Sequence, residues 1–87
     1  MIRRRMIFTG AVQGVGFRWR ARQAAGLYGC TGWCRNEWDG SVTMELQGEE
    51  AQIEQVIEAI RRGRYIDIER MESQTIPVVE ERIFRTD

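Results

Sequence analysis

The chain has 87 residues, 43% of them hydrophobic and 30% charged, with a formal net charge of zero. That length supports one core in a single domain spanning residues 1–87, the composition excludes disorder, and neutrality removes any bulk attraction to nucleic acid or an anionic membrane. Histidine and lysine are absent, so all 13 basic residues are arginine; this excludes Ser-His and Cys-His nucleophiles, His-ligated metal, Schiff-base chemistry and the phosphate-binding lysine of nucleotide-hydrolysing loops.

Ile2 to Thr9 reads as a first strand with Met6, Ile7 and Phe8 as its apolar end. Arg3, Arg4 and Arg5 read as a solvated strand end more readily than as a cluster steering an anionic substrate. No apolar run approaches a membrane span, and the start of the chain is not followed by a signal-like apolar core. A cytoplasmic location is the expectation.

The loop Gly10 to Gly16 follows, with three glycines and then Arg18. Strand, glycine-rich loop, helix start is the order an anion cradle needs. Glycine lets a ligand approach main-chain N–H groups closely, and a helix N-terminus offers orphan donors and partial positive charge. No Gly-Lys-Ser/Thr follows, so this is not a nucleotide-binding P-loop, and Trp19 stands where a dinucleotide fingerprint has its third glycine. From the loop alone, a plain strand-to-helix turn with a solvated Arg18 remains the competing reading.

Phe17, Ala21, Ala24 and Tyr28 recur at helical spacing, which predicts a helix from Phe17 to Tyr28 stopped by Gly29. Arg18 falls in its first turn, where a cation opposes the helix dipole unless an anion is near. That misfit favours the anion-site reading.

Thr31 to Trp38 and Ser41 to Gln47 read as two strands joined at Asp39-Gly40, a hairpin signal. Val42, Met44 and Leu46 alternate with polar residues, predicting one buried and one wet face. A two-residue turn sets Trp33 opposite Leu46 and Asn36 opposite Thr43, with Asn36 on the polar face; a longer loop changes that register. Cys30 and Cys34, if both lie in one strand, are roughly 13 Å apart at strand rise, beyond the ~7 Å reach of a disulfide. Two free, packed thiols in a reducing compartment are expected.

Ile53, Val56, Ile57 and Ile60 form one apolar stripe of a second helix, with Glu49 and Glu50 in its first turn, Arg61 and Arg62 in its last, and Gly63 after it. Tyr65 to Met71 reads as a fourth strand, Pro77 as a turn, and Val78 to Arg85 as a short last strand. The order β-α-β-β-α-β plus a terminal strand predicts an α+β, ferredoxin-like (split β-α-β) fold: an antiparallel sheet with two helices on one face.

The run from Gly10 to Arg18, then Ala25, Gly29, Gly32-Trp33, Arg35-Asn36, Asp39-Gly40-Ser41-Val42, Gln47-Gly48 and Phe84, resembles an acylphosphatase in order and spacing across nearly the whole chain. The resemblance implies hydrolysis of the carboxyl-phosphate bond of acyl phosphates without metal or cofactor. It implies that Arg18 binds the phosphate, that Asn36 orients the attacking water, and that Val12, Gln13, Gly14, Val15, Gly16 and Phe17 form the cradle. Ala11, Arg20, Cys30 and Cys34 depart from the family pattern.

The residue chemistry fits that reaction. Without histidine, lysine or a ready metal, a protein does not easily protonate a poor leaving group. A carboxylate, of pKa about 4, leaves as the anion. The partners expected are a small-molecule acyl phosphate and inorganic phosphate as product, with no nucleic acid or membrane, and the protein acting as a monomer. One rival is a ferredoxin-like module that lays single-stranded RNA on its sheet, although Trp33, Trp38 and Tyr65 lack the paired aromatic signature. Another is the acylphosphatase-like domain of hydrogenase-maturation proteins, which handle carbamoyl phosphate; no zinc-type cysteine pairs follow before Asp87, which favours a free-standing enzyme.

Overall fold

A computed structural model describes all residues, Met1 to Asp87. Seven elements follow one another: β1 (Ile2–Ala11), α1 (Phe17–Tyr28), β2 (Thr31–Asn36), β3 (Val42–Gly48), α2 (Glu50–Arg61), β4 (Asp67–Ile76) and β5 (Phe84–Thr86). They build one five-stranded sheet in the order β4-β1-β3-β2-β5. The ferredoxin-like α+β arrangement is as expected, with one correction. β5 runs parallel to β2, so the sheet is mixed and not wholly antiparallel.

Both helices cover the sheet face that carries Met6, Phe8, Met44 and Leu46, all fully buried. α2 contributes Ile53, Val56, Ile57 and Ile60, the expected stripe, and truncating one such residue to alanine typically costs about 2–5 kcal/mol. Its first turn is tied down by Gln52, whose Oε1 accepts from the Glu49 N–H at 3.1 Å. α1 buries the smaller set Phe17, Ala21, Ala24 and Ala25, and its small alanines admit α2 closely. Phe17 packs on Phe8 with ring centroids 5.0 Å apart. No helix is long and apolar enough to cross a membrane.

The hairpin between β2 and β3 departs from the two-residue turn. β2 ends at Asn36, short of the expected Trp38. Gly40 N donates to Glu37 O at 3.2 Å and Glu37 N to Ser41 O at 2.8 Å, so three residues, Trp38 to Gly40, form the loop. Such a loop closes with its last residue left-handed, and Gly40 has φ 92. The added residue shifts the register by one: Trp33 faces Glu45, Cys34 faces Met44, and Asn36 faces Val42. Because a one-residue slip exchanges the two faces of a strand, Asn36 turns to the helix side and Trp33 away from it. There the Arg35 guanidinium lies 5.1 Å from the Trp33 ring centroid.

The far end of the chain also differs from expectation. β4 begins at Asp67 and continues to Ile76, and the segment read as a last strand is extended only from Phe84 to Thr86. β4 and β5 occupy opposite edges, so residues 77–83 must cross the sheet. They cross part of the face away from the helices, so that Arg3, Thr43 and Gln47 are buried where alternation predicted a wet face, while Arg5 and Arg35 on the same face stay exposed. Gln47 Nε2 donates to Val79 O at 2.7 Å, and Val79 N donates to Gln47 Oε1 at 2.9 Å.

Arg3, expected to be solvated, is 3% exposed beneath this strap. Its Nε donates to Glu45 at 2.9 Å, and its Nη1 donates to Glu81 at 2.7 Å and to Gln47 at 3.2 Å. Burial works against its charge, but Glu81 and Glu45 more than offset it and raise the pKa. Arg3→Ala leaves the largely buried Glu45 and Glu81 only the longer contacts to Arg5 at 3.6 Å and Arg85 at 3.7 Å, so we expect it to lose about 3 kcal/mol of stability, read from urea unfolding. Arg3→Met in a Glu45→Gln, Glu81→Gln background should lose less.

Candidate active site

β1 and β4 shift register between Thr9 and Gly10, and a bulge of this kind bends the strand end. The chain then leaves the sheet through residues 12–16 and enters α1. Val12 and Phe17 anchor both ends of this loop in the core, at 1% and 2% exposure. Gly14 and Gly16 adopt left-handed φ of 69 and 85 on either side of Val15. Alternation of this kind turns successive N–H groups toward one concave side, the geometry that receives anions.

None of the main-chain amides from Gln13 to Trp19 donates a hydrogen bond within the protein; the first donor in α1 is Arg20, to Gly16 O at 3.0 Å. The N-terminus of α1 has no side-chain cap and no acidic residue in its first turn. This contrasts with α2, where Gln52 satisfies the entry.

Beside these amides is a cavity of about 200 Å³ lined by Val12, Gly14, Gly16 and Phe17 from the loop, Arg18 and Trp19 from α1, and Asn36 from β2. Since Gly14 and Gly16 have no side chains, their main chain forms the wall. Arg18 is exposed, and its Nη1 donates to Asp87 O at 3.1 Å. Asp87 N is in turn bonded to Cys34 O at 2.9 Å, continuing the β5 pairing. The end of the sheet thus holds the guanidinium at the cavity while leaving its remaining N–H groups free. The Asn36 carboxamide makes no hydrogen bond within the protein.

Two of the expected cradle residues do not line the cavity. Gln13 points to the β2–β3 turn, where Nε2 donates to Glu37 O at 2.7 Å and Ser41 O at 2.9 Å. It staples the loop to the hairpin that carries Asn36. Val15 is half-buried and packs against the core. Trp19, in contrast, joins the cavity although only Arg18 and Asn36 were singled out as side chains there. Its place in the first turn, next to Arg18, is the signal that points to it.

The cavity lining contains no carboxylate, cysteine, histidine or lysine. Burial pushes the Cys34 thiol up to about 12 even with Arg18 nearby, and burial also raises Cys30. Both cysteines are free and buried, and Cys30 lies outside β2, so the single-strand separation does not apply to them. The Thr43 hydroxyl, at 2.6 Å, and then Arg35 hold Glu37 below the usual carboxylate range. The Ser41 hydroxyl and N–H do the same for Asp39. No group of three or more His, Cys, Asp and Glu residues is arranged to hold a metal. Of the departures from the family pattern, Ala11 is exposed at the end of β1, and Arg20 is turned toward α2, its Nε donating to Ala59 O at 3.1 Å.

A family model described as Acylphosphatase matches residues 4–86. A relative named acylphosphatase from Mesorhizobium japonicum is 45% identical over 75 residues, covering 78% of this chain and 79% of the relative. The crystal structure of an acylphosphatase from Bacillus subtilis superposes with a TM-score of 0.91 at 28% identity, over 100% of this chain and 99% of that one. A structure of full-length HypF in a phosphate- and nucleotide-bound form matches at a TM-score of 0.86 and 30% identity; 100% of this chain corresponds to 12% of that one.

The depressed pKa of Glu37 sets a pH dependence for the turn beside the cavity. Its stabilising effect is complete above the unfolded carboxylate value of about 4.3 and is lost as pH falls through the lower folded value. We expect Glu37→Gln to be less stable than the parent at neutral pH, with the gap closing below about pH 4, as measured by denaturation midpoints across pH.

Proposed function

Because the chain belongs to the acylphosphatase family, whose members are hydrolases acting on acyl phosphates, we propose that its α1 cavity binds the phosphoryl group and directs water at phosphorus. One observation carries the residue assignment: unpaired loop amides, the free face of Arg18 and the unbonded carboxamide of Asn36 meet at one cavity. Arg18 and the unpaired amides of the Val12 to Phe17 loop, from Gln13 onward, hold the non-bridging oxygens; the Val12 amide is committed to Gly10 O at 3.0 Å. Guanidinium suits this task because it stays protonated and presents a planar fork of donors.

Asn36 aligns a water molecule. The water oxygen bonds to phosphorus as the bond from phosphorus to the carboxylate oxygen breaks, giving RCOO⁻ and H₂PO₄⁻ from RCO–OPO₃²⁻ and H₂O. The water's proton goes to the phosphate, so no protein base takes part. The carboxylate departs as the anion because its conjugate acid has a pKa of about 4. The protein's contribution is positioning and charge stabilisation, which is most of what phosphoryl transfer asks of an enzyme. Neither a metal nor a cofactor is assigned a role, since the cavity lining offers arginine, asparagine and amides.

We place the whole of residues 1–87 in one catalytic domain, acting as a monomer in the cytoplasm on a small molecule, without a nucleic-acid or membrane partner. Two buried free thiols and zero net charge support this setting.

The test is hydrolysis of benzoyl phosphate by purified protein in the presence of a chelator, repeated with inorganic phosphate as competitor. Arg18→Ala should lose at least ~10²-fold in rate, the scale of removing one oxyanion donor, with an unchanged unfolding midpoint. Arg18→Lys should restore little, since a point charge lacks the fork. Undiminished turnover in Arg18→Ala would overturn the assignment. Asn36→Ala should lower kcat and spare competition by phosphate; a pure KM effect would make Asn36 a binding residue.

A further inference from the structure

Trp19 borders two spaces. Besides the cavity with Arg18 and Asn36, its ring lines a groove of about 330 Å³ between α1 and α2. The groove is walled by Trp19, Gln23 and Leu27 along one row of α1, by Ala24 and Tyr28 along the next, and by Ala59 of α2. Residues four apart lie one above another on a helix, so Trp19 to Leu27 traces a track of about 12 Å at helical rise. That track starts at the anion end of α1. Trp19 is 64% exposed and Leu27 76%, an apolar surface that lies outside the hydrophobic core although the groove floor, Ala24, belongs to it.

The groove contains no carboxylate. Its one charged residue, Arg20, reaches across to α2 through the bond from Nε to Ala59 O. Asn36 lines the cavity but not the groove, whereas Trp19 lines both. A substrate with its phosphoryl group on the loop amides and its acyl group along α1 therefore keeps the leaving oxygen on the Trp19 side. Asn36, which the groove does not include, is then left to the water that in-line displacement brings opposite the leaving oxygen.

We propose that this groove is an acyl subsite, with Trp19 at its mouth and Leu27 at its far end, and that the enzyme prefers acyl phosphates with extended apolar or aromatic acyl groups. The proposal rests on the phosphoryl assignment above. Burying a methylene fully raises affinity about fourfold; in an open groove about half of that free energy, or twofold per methylene, is the reasonable scale. Because the acyl group is held alike before and during the chemical step, the preference belongs in kcat/KM.

The experiment compares acetyl phosphate with octanoyl phosphate, as separate substrates, in the full-length parent, in Leu27→Asp and in Trp19→Ala. In the parent, kcat/KM should be at least ~10-fold higher for octanoyl phosphate. Leu27→Asp, an exposed position outside the core, should lower the octanoyl-to-acetyl ratio at least ~10-fold, and Trp19→Ala should lower it too. Equal kcat/KM for both substrates in the parent, or a ratio that survives Leu27→Asp, would overturn the subsite while leaving the hydrolase reading intact. Turnover of neither substrate would overturn both.

Discussion

The register of the β2–β3 hairpin is the constraint on which the site depends. A left-handed Gly40 closes a three-residue loop, and the ladder that follows sets Asn36 opposite Val42 on the helix side of the sheet. One residue fewer in that loop sends Asn36 to the opposite face, away from α1. The same turn supplies the carbonyls of Glu37 and Ser41 that Gln13 holds. A single hairpin thus fixes both the carboxamide and the height of the glycine loop beside it. The loop itself makes no inward use of its amides, so its shape is maintained from outside, by Gln13 and by the buried ends Val12 and Phe17.

The opposite face of the sheet solves a different problem. β4 and β5 lie at opposite edges, and the chain between them must pass over strands whose side chains on that face are polar. Gln47 meets the main chain of Val79 with both ends of its amide, and Arg3 gathers Glu45 and Glu81 beneath the strap. Buried charge of this kind is a poor source of net stability, but breaking one partner is costly. The placement of the strap that pairs these groups delivers Phe84 to Thr86 to the edge of β2. Asp87 follows directly, within reach of Arg18. The route of the strap therefore bears on the active site through the strand that it feeds.

The periodic parts of this architecture were legible from the chain. The stripe Ile53, Val56, Ile57 and Ile60 identified α2, and the change of period at Phe17 identified α1 with its limits. The family resemblance identified Arg18, Asn36 and the glycine loop, and the structure gathers most of them at one cavity. Features set by distant contacts were not legible. Asp39-Gly40 signals a turn but does not state its length, and the length decides the facing of every residue in β2. Arg3 has the composition of a solvated strand end; its burial follows from Glu81, far along the chain. Gln13 read as part of the main-chain cradle, and its amide is indeed unpaired, but its side chain holds carbonyls that no local pattern points to. In the sequence Trp19 reads as the residue standing in place of a third glycine, and its position between two hollows emerges only when α1 packs on α2.

The state of Cys34 has a consequence for an enzyme of this kind. Acyl phosphates are acyl donors as well as phosphoryl donors, and an ionised thiol close to Arg18 would be a natural acceptor. Enclosed between β3 and β5, with its proton retained until about pH 12, Cys34 has almost no thiolate to offer under ordinary conditions. The sequence also contains no lysine amine. Neither a thiolate nor a lysine amine is thus presented to a mixed anhydride held beside Arg18, and the two side-chain acceptors that such a reagent would modify first are missing from its surroundings.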